Sequence, residues 1–238
     1  MMKEFRLIEK KELAPKIFEL TFETKENFTI IPGQFITFLL DKIWWRAYSI
    51  LKQNWNKTTL IIKKREIEDG WRWWSKYICE REIWDVLKWV WPAWHFTLKE
   101  NSKNKLFIWT GTGFVPLYNM IIWALEKKLD SKLFLTFWVR TRKDLFYLEE
   151  LKRLKKQNQN FDFAIYISRE KDLLDFELEN PDVQIFSWYT TNFLTPYNIK
   201  TNNFEEIYIC WAPKMIEWTQ KKLEKIWFNK ENIFFEKY

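Results

Sequence analysis

The chain has 238 residues, enough for one large domain or two of ordinary size. Its hydrophobic content of 47% excludes a disordered chain, and no apolar run approaches the roughly 18 to 20 residues of a membrane helix. The formal charge is +7, but the lysines are interleaved with glutamates in runs such as "KKLEKI", as on solvated helix faces, which leaves only a mild preference for acidic partners.

The first hundred residues read as β structure. "KIFELTFET" alternates Phe18, Leu20 and Phe22 with Glu19, Thr21 and Glu23, a half-buried strand. "PGQFITFLL" opens on a turn at Pro32-Gly33 and continues as a strand; "RAYSI" and "TTLIIKKREI" are further strands. "DVLKWV" and "HFTLKE" read as two short strands separated by "WPAW". Many short strands with turns between them predict a barrel or sandwich. Beyond the polar run "ENSKNK" the pattern changes. "LFIW", "KLFLTFWV", "FDFAIYI", "EEIYIC" and "NIFFEKY" are strands. "GFVPLYNMIIWALEKKL" is a helix with Pro116 in its first turn, "DLFYLEELKRLKKQ" a helix with Asp144 as N-cap, and "APKMIEWTQKKLEKI" a third helix. Alternating strands and helices predict a parallel sheet. The expected fold is therefore two domains: an antiparallel β-barrel over 1–100 and an α/β parallel-sheet domain over 101–238.

The chemistry-bearing residues are few. Cys79 and Cys210 are far apart, which excludes a metal cluster or a disulfide framework. His95 is the single histidine, so histidine triads and polyhistidine metal sites are excluded too. The start, "MMKEFRLIEKKEL", has no apolar signal-peptide core, and the expected location is the cytoplasm. The outlier is Trp 17 against Gly 4. Together they make about the share that glycine alone has in an average chain, roughly 7% to 9%.

Two short motifs stand out. Thr110-Gly111-Thr112-Gly113 lies between a strand and a helix, where small residues let the backbone approach a phosphate, although a tight turn alone would also use two glycines. "RAYS" sets Arg46 and Tyr48 on one face of a strand and Ser49 on the other, with Ala47 between them. In order along the chain come "PGQF", "RAYS", the glycine-to-serine stretch "DGWRWWS", "WPAWHF", "TGTGFVP", "WVRTRKDLFYLEEL", "ISRE", "YICWAPKMI" and a terminal "FFEKY". This ordered set resembles the ferredoxin-NADP reductase family over essentially the whole chain. The resemblance implies a Greek-key FAD-binding barrel followed by an NAD(P)-binding α/β domain.

At several landmarks where that family has glycine, this chain has tryptophan: Trp91 and Trp94 in "WPAWHF", Trp109 in "FIWTGTG", Trp138 in "FWVRT", Trp211 in "CWAPKM", and the tryptophans of "DGWRWWS". Tryptophan is a poor substitute in turns that need a positive φ or a close backbone approach. The pattern reads as a gene whose UGA codons mean glycine, translated as if they meant tryptophan.

The resemblance also implies roles. Arg46 meets the flavin diphosphate, Tyr48 stacks on the isoalloxazine and Ser49 lies near flavin N5, with Ala47 in the same strand. Lys63 and Lys64 fall on the adenylate side, or are plain barrel lysines. Gly70, Trp73, Trp74 and Ser75 belong to the loop that cradles the diphosphate. Gly111, Thr112 and Gly113 form the dinucleotide loop, Arg140 follows the second α/β strand, and Ser168 and Arg169 stand where relatives hold a 2′-phosphate, which favours NADP(H) over NAD(H). Cys210 faces the nicotinamide, Trp211 adjoins it, and Glu236 and Tyr238 lie beside the flavin. Ser49, Cys210 and Glu236 surround the hydride transfer. No cluster-binding cysteines are present, so the electron acceptor is a separate molecule, expected to be a ferredoxin or flavodoxin; no metal, nucleic acid or membrane is expected. Two other readings use the same residues differently: a basic, aromatic-rich barrel that binds single-stranded nucleic acid by stacking, or a reductase fold that binds a partner without catalysis.

Overall fold

The computed structural model describes residues 3–25, 27–40, 44–66, 73–93, 96–211 and 213–237. Gly70, Trp94, His95 and Tyr238 lie outside them, as do the side chains of Trp91 and Trp211. The chain divides into two compact units: residues 1–98 with 118–120, and residues 99–117 with 121–238.

The first unit is antiparallel. Strands β1 (Lys3–Ala14), β2 (Ile17–Glu23), β3 (Phe35–Leu40), β4 (Trp44–Ser49), β5 (Lys52–Asn54), β6 (Lys57–Lys63) and β7 (Val86–Ala93) form one sheet in the order β4-β3-β7-β1-β2-β6-β5, and a short helix α1 (Trp74–Cys79) precedes β7. The last strand thus returns to lie between β1 and β3, a Greek-key path. The core is aromatic. Trp89 has no exposed surface and stacks on Phe5 at 4.2 Å with planes 4° apart, beside Phe22 and Phe38. The expected strand at "HFTLKE" is a misreading, since residues 96–100 form no strand. Instead β7 runs on through Trp91 and Pro92. Val90 pairs with Thr37 and Ala93 with Phe35, so Trp91 and Pro92 together oppose Ile36 in a bulge. Proline has no ladder donor to give, and a bulge does not ask for one.

The second unit is parallel throughout. Strands β8 (Lys105–Thr110), β9 (Leu133–Val139), β10 (Phe161–Ile167), β11 (Gln184–Phe186), β12 (Glu206–Trp211) and β13 (Ile233–Lys237) stand in the order β11-β10-β9-β8-β12-β13. Helices α2 (Phe114–Glu126), α3 (Leu148–Gln157), α4 (Leu174–Glu179), α5 (Pro196–Thr201) and α6 (Pro213–Lys225) connect them. The strands are near-continuous apolar runs because both sheet faces are covered. The expected cap Asp144 does not start a helix. Its carboxylate accepts from the Thr141 N–H at 3.1 Å and hydroxyl at 3.0 Å, which closes a single turn at Arg142–Asp144, and α3 begins at Leu148 after Tyr147 in the left-handed region (φ 62).

Among the described residues, three tryptophans adopt positive φ: Trp55 (55), Trp84 (82) and Trp227 (61). Each holds the one position of its turn that favours glycine. Trp55 is the first residue of the two-residue β5–β6 hairpin loop, and the next residue, Asn56, has no positive φ, the arrangement that calls for glycine first. Trp84 is the third residue of a turn closed by Asp85 N–H to Glu82 O at 3.0 Å, where a positive φ marks type II. Trp227 follows α6, with Phe228 N–H reaching Leu223 O and Trp227 N–H reaching Glu224 O, the paired bonds of a Schellman end. All three rings are exposed, Trp227 by 94%. Lys128 and Asn203 hold the equivalent position after α2 and α5.

Candidate dinucleotide and flavin sites

In the second unit β8 ends at Thr110, and Gly111–Gly113 form one turn before α2. Gly111 has φ +54, and a Cβ there would meet nothing within 4 Å, so the backbone stands open to a ligand. Gly113 is the opposite case: its Cβ would lie 2.4 Å from Cys210 O, so only glycine lets α2 start against β12. A glycine open to ligand and a glycine for close helix–strand packing are two of the three glycine roles in a dinucleotide loop. Thr112 lies between them, partly buried. Trp109, just before the loop, is fully buried between Phe114 and Phe137, and its indole N–H has no hydrogen-bond partner among the described residues.

Cys210 is fully buried, and Glu236 is its register partner on β13. The Cys210 thiol donates to Glu236 Oε2 at 3.8 Å. Burial raises the Glu236 carboxyl from its ordinary 4.5 to about 7, against the smaller lowering effect of that thiol. An acid whose folded value is raised favours the fold when protonated. This contribution is therefore full below about pH 4.5 and is lost as the pH rises through about 7. Urea melts across that window should show stability declining with pH, and Glu236→Gln should flatten the decline; an unchanged slope would remove Glu236 as its source.

Arg140 and Arg169 are exposed and Ser168 partly buried, on adjacent loops after β9 and β10. Backbone bonds tie the loops: Ser168 N–H to Val139 O at 3.2 Å and Arg169 N–H to Arg140 O at 2.9 Å. Arg142 and Glu170 are not marked by any motif, and only their opposite charges in "RTRKD" and "ISRE" signal them in the sequence.

In the first unit, β4 carries Arg46, Ala47, Tyr48 and Ser49. The Arg46 guanidinium is centred 4.6 Å over the Trp74 ring, and its Nη1 donates to Trp45 O at 2.7 Å. Tyr48 packs on the barrel core, where burial pushes its phenol upward, and Ser49 is buried. Ser75 Oγ accepts from Arg65 N–H at 3.1 Å, and the Trp73 ring lies 4.4 Å from that of Trp74, tilted by 41°. Lys64 pairs with Glu80 at 2.8 Å, and Lys63 ends β6. A guanidinium, a phenol and a hydroxyl within four residues of one strand are the donors and stacking surface that a flavin dinucleotide uses, so this set fits that group. Trp74 is the crowding element, its indole lying under the arginine.

No group of acidic, cysteine or histidine side chains among the described residues could hold a metal ion, and no described helix is long and apolar enough to cross a membrane.

A family profile for the oxidoreductase NAD-binding domain matches residues 107–221. The "Ferredoxin--NADP reductase B" of Sorangium cellulosum (strain So ce56) is 29% identical over 172 residues, 70% of this chain and 70% of that protein. Ferredoxin-NADP+ reductase from Plasmodium falciparum, solved with 2'P-AMP, superposes with a TM-score of 0.77 over 100% of this chain and 96% of that one, at 21% identity. The chain is thus similar to ferredoxin-NADP reductases in sequence and shares their fold. It has the two-domain fold of FAD- and NAD(P)-binding flavoproteins. A component of the Na(+)-translocating NADH-quinone reductase of Marinomonas sp. (strain MWYL1) is 26% identical over 166 residues, 68% of this chain, and the chain spans 39% of that component's length. The flavohem-like FAD/NAD-binding domain of a Vibrio cholerae nitric oxide dioxygenase shares the fold, with a TM-score of 0.81 and 19% identity over 99% of this chain and 98% of that one.

Proposed function

We propose that the protein exchanges hydride between NADPH and FAD and passes electrons to a separate acceptor, with the Gly111–Gly113 loop carrying the reading. Bound FAD supplies the conversion between hydride and single-electron chemistry. The chain's own residues bind and orient. Arg46 would hold the flavin diphosphate together with the Trp73–Ser75 stretch and Gly70, Tyr48 would stack on the ring, Ser49 would place a hydroxyl at its reacting edge, and Lys63 and Lys64 would flank the adenylate. Gly111, Thr112 and Gly113 would admit the NADPH diphosphate beside Arg140. Ser168 and Arg169 supply a hydroxyl and a planar guanidinium, the chemistry that suits a 2′-phosphate. Cys210 and Glu236, next to Trp211, would line the nicotinamide pocket, where Glu236 can hold a proton near neutral pH.

The basic surplus suits an acidic ferredoxin or flavodoxin as acceptor. A second reading, favoured by the quinone reductase relatives, has the electrons enter a membrane-bound quinone-linked complex. The deciding experiment takes visible spectra of the protein reconstituted with FAD, before and after anaerobic NADPH. A flavin spectrum that bleaches supports the reading, and a protein that stays colourless refutes it. Acceptor assays with ferredoxin, flavodoxin and a soluble quinone then separate the two electron routes.

The same proposal includes the tryptophans: glycine stands at Trp91, Trp94, Trp109, Trp138 and Trp211 in the protein as its own organism makes it. The left-handed Trp55, Trp84 and Trp227, found outside the family landmarks, support this independently. Trp89, flat on Phe5 in the core, reads as a true tryptophan. Peptide mass spectrometry of the native protein decides it, and tryptophan at these positions would overturn it.

A further inference from the structure

We propose that Glu170 is a positioning residue that locks the β9 and β10 loops together so that Ser168 and Arg169 meet the 2′-phosphate of NADPH; this rests on the NADPH reading above. The parallel ladder of β9 and β10 ends at Val139 and Ile167. Two backbone bonds carry it onward, from Ser168 to Val139 and from Arg169 to Arg140. The next rung is made by a side chain. Glu170 Oε1 accepts from the Arg142 backbone N–H at 2.6 Å, and Oε2 accepts from Arg142 Nε at 2.6 Å. One carboxylate thus fixes both the backbone and the side chain of the facing loop, a charge-assisted pair with strict geometry. Arg142 Nη1 also lies 3.6 Å from Asp175, and the guanidinium stands 5.9 Å from the Phe176 ring centre.

Arg142 is therefore committed to structure. Among the described residues, Arg140 and Arg169 have no ion-pair partner, and both are exposed at the same edge. Charge alone predicts one outcome of removing Glu170: a negative group is gone, Arg142 is released, and a nearby phosphate binds more tightly. The brace predicts the reverse. A partly exposed charge is screened by solvent and salt, whereas donors displaced by an ångström lose their ligand.

The test compares wild type with Glu170→Ala, Arg142→Gln and the double variant, by calorimetric titration with 2′-phospho-AMP and with 5′-AMP. Wild type should prefer 2′-phospho-AMP. Glu170→Ala and Arg142→Gln should each weaken 2′-phospho-AMP about tenfold, with 5′-AMP within about twofold, and the double variant should lose no more than either single change. In turnover, KM should rise for NADPH and not for NADH. Unchanged or tighter 2′-phospho-AMP binding by Glu170→Ala would overturn the brace alone. A wild type that binds the two nucleotides equally would overturn the NADPH reading, and the inference with it.

Discussion

Glu206→Ala should destabilise the protein by ~3–5 kcal/mol, because it leaves the buried Lys105 ammonium uncompensated. Lys105 and Glu206 open the adjacent strands β8 and β12, with side chains 0% and 1% exposed and 3.7 Å apart. Their contacts form a closed network. Lys105 Nζ donates to Asn101 Oδ1 at 2.7 Å, Lys103 O at 2.8 Å and Asn101 O at 3.1 Å. Glu206 accepts from Asn101 Nδ2 at 2.7 Å and from the Tyr208 hydroxyl at 3.0 Å, and that hydroxyl accepts from Lys99 N–H. Burial pulls the Lys105 ammonium below its ordinary value, and Glu206 only partly opposes this. Lys105→Met/Glu206→Gln removes both charges and keeps an acceptor for Asn101, so it should cost less than either single change. Urea melts of the four proteins measure the coupling; strictly additive losses would show that the charges do not act as a pair.

Trp55→Gly, Trp84→Gly and Trp227→Gly should each stabilise the protein, and together by ~2–3 kcal/mol. A non-glycine residue in the left-handed region costs roughly 1–2 kcal/mol, part of which is offset by the larger unfolded-state entropy of glycine. The exposed rings lose little when they are removed. The three turns are separate in the chain, so the gains should add. Trp89→Gly is the contrasting substitution: it empties the barrel core and should cost at least ~3–5 kcal/mol. Thermal melts of the four single variants and the triple test this. A triple variant that melts below the parent would mean the left-handed turns carry no strain worth relieving.

The alternation of strands and helices was legible because the second unit's strands are continuous apolar runs, which solvated helices separate. β1 was harder to see. Its "KEFRLIEKKELA" buries Phe5 and Leu7 but shows charge elsewhere, so no sustained alternation marks it. The short α4, β11 and α5 lack any period long enough to read. Asp144 misled because aspartate before an apolar period is a cap signal, and here its carboxylate serves Thr141 instead. At the site, Gly111 and Gly113 could be read from composition and order, but their different jobs could not: one faces open space and the other faces Cys210 O. The Arg142–Glu170 brace joins the loops that follow two strands whose adjacency only the sheet order supplies.

That sheet order also sets a timetable for synthesis. β8, β9, β10 and β11 leave the ribosome in sequence and pair outward on one side of β8. The other edge of β8, with its row of unpaired amides and the ammonium of Lys105, has no partner until β12 emerges with Glu206. During that interval the nascent chain presents an apolar strand edge open to any other extended peptide. The protein is thus most exposed to misassembly between the emergence of β11 and that of β12, and a ribosome pause ahead of Glu206 would lengthen the exposure.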